Sequence, residues 1–579
     1  MAQKLRLRSQ KTPLKEEFNF AVEVLVDTNI PHLSDPYTYA VSTKYSDIEI
    51  GTMVSVPFGS RMLSGIVVSK SQRSSEGLKF IKKVLHPFPI LNAGQIELID
   101  NATERWVGSF WDFMRFAVPT IASSSNQSIN FSEALARKVS QPELKIGGSY
   151  EDLISLIESR INPARQLLIV VPKLSDIDYL REVLKTKFIE YGSHLTSKER
   201  AENYLRILSG EVNTIVGTRS AIFLPLKADA EILVVDDLSF SFYESRHPFW
   251  NVRDVALLRS TRHSLTFYTH SPSLELLRLS ESGWLRLSQK KNSRPQKYFL
   301  DGRIGYQSIV KNGLLKGAVL ILVPDKGYLN AIVCGKCRNI YRCNCGGRLI
   351  QQDKSSKLTC NLCAREEIVK NCSYCKSDTK LGYRKGISKV IEELGKQFPG
   401  AIITKSGEER LTPKRNQIII ATYESYQIAK YSAVVALEFD RFAYQHRLRS
   451  SELGRKLVFD LLALNSESNY FDVQQTSYFG QVAALGNPIP SASAELKERD
   501  SAKLPPFYRV AVIDCDAKSA SIFEEQNFFT SVDYGNGKAF LKYKVEEGAR
   551  AVGFLTDLVR YRSLRKLKAW SVKVDPLDI

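Results

Sequence analysis

Several things are scarce in this sequence, and each scarcity removes a class of protein. Cysteine is nearly absent outside one stretch: eight of nine fall between Cys334 and Cys375, and only Cys515 lies elsewhere. A disulfide framework is thereby excluded, and a reduced, cytoplasmic setting is expected. No apolar run approaches the roughly 18 residues of a membrane span. The lead from Met1 to Lys15 is basic and polar with no apolar centre, so no signal peptide and no membrane partner are expected. No G-x-x-x-x-G-K-[ST] occurs anywhere. That removes the loop whose backbone N–H groups cradle nucleotide phosphates and whose lysine meets the β- and γ-phosphates. Acidic residues are in deficit as well, with 62 Asp and Glu against 81 Lys and Arg, a net charge of +19. Such an excess points to a polyanionic partner, most simply nucleic acid.

The cysteines that are present form four close pairs. Cys334/Cys337, Cys360/Cys363 and Cys372/Cys375 read C-x-x-C, and Cys343/Cys345 reads C-x-C. Each pair can turn both sulfurs toward one point, which is half of a tetrahedral zinc site. Four half-sites make two zinc ions, each closed by four thiolates. With no histidine in the cluster and no open position, the sites are structural rather than catalytic, and they fold a module too poor in apolar residues to fold alone. Spacing alone allows nested or sequential pairing. Cys515, in a strand-like run, reads as buried and inert.

At 579 residues the chain exceeds the roughly 250–300 at which single cores stop growing, so several domains are expected. Residues 1–18 read as a flexible basic lead. Residues 19–90 read as a small β-domain, with strands at 20–26, 51–58, 63–69 and 80–85 and a turn at Gly59-Ser60-Arg61. Residues 91–149 change to a helical period, a winged-helix-like domain with a Ser-rich linker over 120–150. From 150 the chain alternates β-branched and helical runs, the mark of a parallel sheet: strands at 167–171, 214–216, 232–235 and 265–268, then at 319–323, 401–404, 417–421 and 433–437. The pattern gives two α/β units, 150–290 and 291–483, the second interrupted by the cysteine module at 331–380. Residues 484–579 read as an α+β domain with a strand at 509–513, a turn at Gly535-Asn536-Gly537 and a helix from 549 to about 561. The fold class is multidomain α/β.

Specific motifs carry a family resemblance. Val56-Pro57-Phe58-Gly59 precedes Gly65-Ile66-Val67-Val68; Ser193, Leu195, Thr196, Glu199 and Arg200 space out a second motif. Gly217-Thr218-Arg219-Ser220-Ala221-Ile222-Phe223 forms a third, followed by Arg253-Asp254, Ser271-Pro272-Ser273-Leu274-Glu275, Pro505-Pro506-Phe507 and Val574-Asp575-Pro576. With the cysteine array, these resemble the PriA (primosomal protein N′) family of replication-restart proteins over about 20–579. The resemblance implies two RecA-like helicase lobes for the α/β units and a 3′-end-binding N-terminal β-domain. It pairs Cys334, Cys337, Cys372 and Cys375 on one zinc, and Cys343, Cys345, Cys360 and Cys363 on the other. It also implies a pocket for the nascent-strand 3′ end built on Tyr37, Thr38 in place of an aspartate, Gly59 and Lys79. An aromatic ring there can stack the terminal base; packing is the competing reading for Tyr37, a solvated strand residue that for Lys79.

The departures concern ATP. The stretch that should hold the phosphate loop, 146–167, offers only Gly147-Gly148. The family's acidic DEEH box reads Asp236-Asp237-Leu238-Ser239, and its arginine-bearing motif has as its nearest region Arg455 to Asn465. The resemblance is thus to the degenerate form of the family, as in high-GC Gram-positive bacteria, and no ATP cofactor and no catalytic residue are expected. The implied function is recognition of branched DNA at arrested forks and help in reloading the replicative helicase, with the helicase loader, other primosome proteins and single-stranded DNA-binding protein as partners. An active ATP-dependent 3′→5′ helicase is the alternative, and a zinc-ribbon RNA-binding or interaction protein the second. Arg219 reads as ordering its loop or contacting DNA. His194 reads as a packing or hydrogen-bonded residue. Arg560, Arg562, Arg565, Lys566 and Lys568 beside Trp570 read as phosphate contacts with a stacking platform, or as a solvated helix face.

Overall fold

In the computed structural model the described residues are 17–74, 76–122, 139–290, 297–300, 305–354, 357–368, 370–407, 409–443, 447–474, 476–535 and 537–577. Most of the basic lead and the centre of the Ser-rich stretch lie outside them.

Alternating residues build the first sheet. Phe18–Val26, Tyr37–Ser42, Thr52–Phe58, Arg61–Ser71 and Lys83–Pro89 form five antiparallel strands in the order 37–42, 18–26, 61–71, 52–58, 83–89. Segment 79–82 bonds to Ala40 on one side and Ser55 on the other, which draws the two ends of the sheet together around Val22, Val24, Tyr39, Val54, Val56 and Val67. Helices Ala93–Arg105 and Phe110–Ala117 follow, each opened by a capping box (Asn92 with Gln95, Ser109 with Asp112). Among the described residues 91–119 contain no strand. Trp106 and Phe113 pack into one continuous core with Phe223 and Trp250 of the next unit, so these helices dock on their neighbour.

The continuous apolar runs become the interior strands of two wholly parallel sheets, buried on both faces as such runs require. The first has seven strands in the order Arg286–Gln289, Glu143–Ile146, Ser264–Thr269, Glu231–Val235, Leu167–Val170, Thr214–Gly217, Ile189–Tyr191. The second has six, in the order Lys297–Leu300, Ser468–Phe471, Ala433–Ala436, Ala318–Val323, Gln417–Thr422, Ile402–Lys405. Glu143–Ile146 falls in the stretch read as linker, and it is an interior strand: its charged residues pair with neighbours (Arg160 with Glu143 at 2.8 Å), which hides it from an apolar pattern. The last domain is a four-stranded antiparallel sheet with helix Gly548–Leu564. No helix among the described residues is long and apolar enough to cross a membrane.

The cysteine-rich segment leaves the second sheet after Ala318–Val323 and returns before helix Ile387–Gln397. Its stem is an antiparallel pair, Leu329–Cys334 with Lys380–Lys385, which delivers Cys334 at its tip.

Candidate metal centres, DNA-binding face and interlobe cleft

The insertion gathers its sulfurs into two groups. Cys334, Cys337, Cys372 and Cys375 form one, Cys343, Cys345, Cys360 and Cys363 the other, with the ligand atoms of each within 4.8 Å of one another. The contacts run between pairs: Cys334 to Cys375 at 3.5 Å, Cys337 to Cys372 at 3.6 Å, Cys345 to Cys360 at 3.4 Å and Cys343 to Cys363 at 3.7 Å. The first pair thus meets the fourth, and the second meets the third. Every pair ends in a left-handed residue: Arg338 (φ 63°), Gly346 (φ 86°), Ala364 (φ 57°) and Lys376 (φ 61°). Each returns its N–H to the carbonyl of the pair's first cysteine at 2.8–3.0 Å, a tight turn that points two sulfurs inward. A Cβ at Gly347 would lie 2.4 Å from Cys360 Sγ, which explains the glycine after the short C-x-C bite. Either quartet could hold one ion in a closed thiolate shell. They differ in exposure: the first is buried or half-buried throughout, whereas Cys345 and Cys363 are exposed.

On the β-domain, Tyr37 opens its strand with the ring edge-on to Phe58 at 5.0 Å, next to Gly59. Burial, then the Asp35 carboxylate, raises its O–H. Gly59 is exposed in a turn at φ 56°, with nothing within 4 Å of a Cβ built there. Its glycine answers to the backbone angle and leaves the corner open to an incoming ligand. Thr38 points to the other face and donates to Glu23 Oε1 at 2.9 Å. Lys79 is exposed, and its carbonyl accepts the Ala40 N–H, two residues beyond Thr38. Tyr37 and Gly59 therefore share one corner through Phe58 of the Val56–Gly59 motif, whereas Thr38 turns to Glu23 and Lys79 lies on the segment that bonds to Ala40, farther along the strand of Tyr37.

Other candidates resolve structurally. Arg219 donates to the carbonyls of Tyr243 (2.5 Å) and Ser241 (3.3 Å) and pairs with buried Glu244 at 3.0 Å, so it orders its loop. His194 sits 3.2 Å from Glu190. Trp570 is covered by Arg562 at 3.9 Å and packs on Phe523, so its ring is not a free platform; Arg560 bonds to Ser34 and Asp35 at 3.1 Å, while Arg565, Lys566 and Lys568 are exposed. Cys515 is buried, which raises its thiol.

Between the two α/β units lies a cavity of about 320 Å³ at the ends of the parallel strands, lined among others by Tyr150, Lys173, Asp236, Tyr426, Lys456 and Asp460. The strand–loop–helix that would carry a phosphate cradle has a loop of only Gly147, Gly148 and Ser149, between Ile146 and helix Tyr150–Arg160. The N–H groups of Gly148 and Ser149 both donate to Asp152 Oδ2, at 3.0 and 3.1 Å, and Lys290 Nζ lies 2.5 Å from its other oxygen. The loop is pinned from behind by Tyr268, whose O–H donates to Ser149 O at 2.7 Å. Asp236 sits just past its strand at φ 63°, and its Oδ2 is 2.9 Å from Lys456 Nζ of the second unit. Burial pushes its carboxyl up to about 7 against the pull of Lys456. Asp237 is fully buried, pushed up to about 6 by burial despite Arg253. Arg455, the nearest arginine to the missing motif, is buried on Glu495 (2.6 Å) and the Tyr478 hydroxyl (3.0 Å). Lys456 is the member of that helix that meets Asp236.

A model of the 3′DNA-binding domain matches residues 23–119. The probable replication restart protein PriA of Mycobacterium tuberculosis strain H37Rv is 27% identical over 572 residues, covering 86% of this chain and 87% of that one. The replication restart protein PriA of Helicobacter pylori strain J99 is 24% identical over 595 residues, covering 91% and 96%. A solved structure of RecG bound to a three-way DNA junction covers 70% of this chain and 55% of its own at 11% identity and a TM-score of 0.33. The chain is a relative of the replication restart protein PriA along most of its length.

Proposed function

We propose that the chain is a DNA-binding replication-restart factor that recognises stalled or abandoned forks through a nascent 3′ end and helps reload the replicative helicase without unwinding DNA itself. The observation that carries this reading is the 3′DNA-binding match over residues 23–119, on a sheet whose Tyr37–Phe58–Gly59 corner stands open. Tyr37 supplies a ring for the terminal base, Gly59 lets backbone approach, and Lys79 supplies a phosphate contact. Thr38 is turned to Glu23, so its part is to hold that side chain at the edge of the pocket. The α/β units are degenerate helicase lobes that serve as a frame. Zinc suits both cysteine quartets and would close two tetrahedral thiolate shells that fold the insertion. A helicase loader, other primosome proteins and single-stranded DNA-binding protein are the partners this role requires, in the cytoplasm.

The test is fork binding with a free or a 3′-phosphorylated nascent strand, alongside Tyr37→Ala. The reading requires tighter binding to the free 3′-OH, and stacking worth about 1–3 kcal/mol lost in the variant. Equal affinity for both forks and for the variant contradicts it.

A further inference from the structure

The interlobe cleft is filled by the chain's own charges, and their placement goes beyond the loss of nucleotide chemistry. We infer that the protein carries internal substitutes for both halves of a metal–nucleotide complex, Lys456 for the cation and Asp152 for the phosphate, and that the two units are thereby held in one closed arrangement. The inference rests on the reading of this cleft as a relic nucleotide site.

The cation side is the stronger observation. Lys456 sits on helix Ser450–Ala463 of the second unit and its ammonium is shared by Asp236 of the first unit and Asp460 on its own helix. One positive charge thus spans two carboxylates, one from each unit, as a bridging metal would. Its side chain is 14% exposed, so salt screens the contact little. On the phosphate side, the Gly148 and Ser149 N–H groups of the truncated loop are spent on Asp152 and the Gly147 N–H on Thr269 O, and Asp152 has an ammonium, Lys290, on its other oxygen. None of the three loop N–H groups is left for an incoming anion.

Further clamps cross the cleft. Lys173 donates to Tyr426 O at 3.3 Å and lies 4.5 Å over the same ring. Arg410 forks onto Glu182 at 3.0 and 2.7 Å. Farther along, Glu452 accepts the Leu274 N–H at 3.1 Å, and Leu274 and Leu277 pack on Ala492 and Leu496. Each clamp joins the first unit to the second or to the helix that follows it. A ligand shifts an equilibrium only by its differential affinity for the two states; with the closed state already held from within, nucleotide has nothing left to shift. DNA would then meet one rigid body at all times.

Hydrogen exchange of the full metal-loaded chain tests this, read on peptides covering 150–160, 236–242, 422–428 and 453–461, with and without Mg·ATP. The wild type is expected to exchange identically in both conditions. Lys456→Met and Asp236→Asn are each expected to raise exchange on both sides of the cleft by roughly tenfold or more, as local opening becomes easier. If Lys456→Met also loosens the distant sheet 18–89, it has unfolded globally, and Asp236→Asn, which leaves the helix of Lys456 intact, decides. Variants that exchange like the wild type overturn the latch and leave the proposed function standing. Protection of the cleft by Mg·ATP in the wild type overturns both.

Discussion

Replacing Lys456 by methionine keeps the length of the side chain and removes the ammonium between Asp236 and Asp460. The site is nearly sealed: Lys456 is 14% exposed and Asp460 4%. Removing one partner of a buried pair costs about 3–5 kcal/mol, because the carboxylates left behind stay buried without a counter-charge. The pH dependence has a definite sign. A carboxyl whose folded pKa lies above its unfolded value holds a proton in the folded state that the unfolded state gives up, so its stabilising effect is present at low pH and fades as pH rises through the folded pKa. For Asp236 that window runs from 3.8 to about 7 in the wild type. Without Lys456 the folded value rises further and a proton replaces the lost ammonium. The cost of the substitution should therefore be larger at about pH 8 than at about pH 5.5. Urea unfolding followed by tryptophan fluorescence, wild type and variant at both pH values, measures the difference, and titrations shared by the two proteins cancel. A loss under about 1 kcal/mol, the size of an exposed ion pair, refutes the reasoning, as does a loss that does not shrink toward acid.

Metal analysis of protein purified without added zinc should return two equivalents per chain, and Cys360→Ser should lower this to one while unfolding part of the insertion, since each site contributes much of about 10–16 kcal/mol of folding-coupled binding. A chelator should remove the two ions in separate phases, the faster from the quartet that exposes Cys345 and Cys363; Cys363→Ser should abolish the fast phase and spare the slow one. Ala364 adopts φ 57°, a conformation that costs a non-glycine residue about 1–2 kcal/mol, so Ala364→Gly should raise the melting temperature of the metal-loaded insertion. Lys79→Ala should weaken fork binding and lower the salt slope by about one; unchanged affinity and slope would make Lys79 a solvated strand residue.

What was legible in the sequence was whatever local pattern carries. The runs at 167–171, 214–216, 232–235, 319–323 and 417–421 are β-branched and apolar because both faces of a parallel sheet are buried, and they lie within a residue of the observed strands. The cysteine pairs were legible because two sulfurs on one turn need fixed spacing. Two of the missed strands hide polar residues inside the sheet: Glu143 is satisfied by arginine, and in Ser468–Phe471 the fully buried Asn469 bonds to Ser466 Oγ. Long-range charge was illegible for a different reason. Asp236 and Lys456 stand 220 positions apart, and nothing near either names the other. The region nearest the missing arginine motif begins at Arg455, yet that side chain points away to Glu495, and the neighbouring Lys456 faces the cleft.

Whether the cleft turns over ATP separates a rigid DNA-binding frame from a helicase motor. Phosphoryl transfer needs a phosphate cradle, a lysine, metal carboxylates and an arginine, the last worth about 10³–10⁵ in rate where supplied. Here the cradle is a three-residue loop filled by Asp152, and the first carboxylate, Asp236, is held by Lys456. Fork-DNA-stimulated ATP hydrolysis by highly purified protein, beside Asp236→Asn, measures this directly. The prediction is no turnover above background in either protein while fork binding persists; robust DNA-dependent turnover that Asp236→Asn abolishes would contradict it and restore the helicase reading.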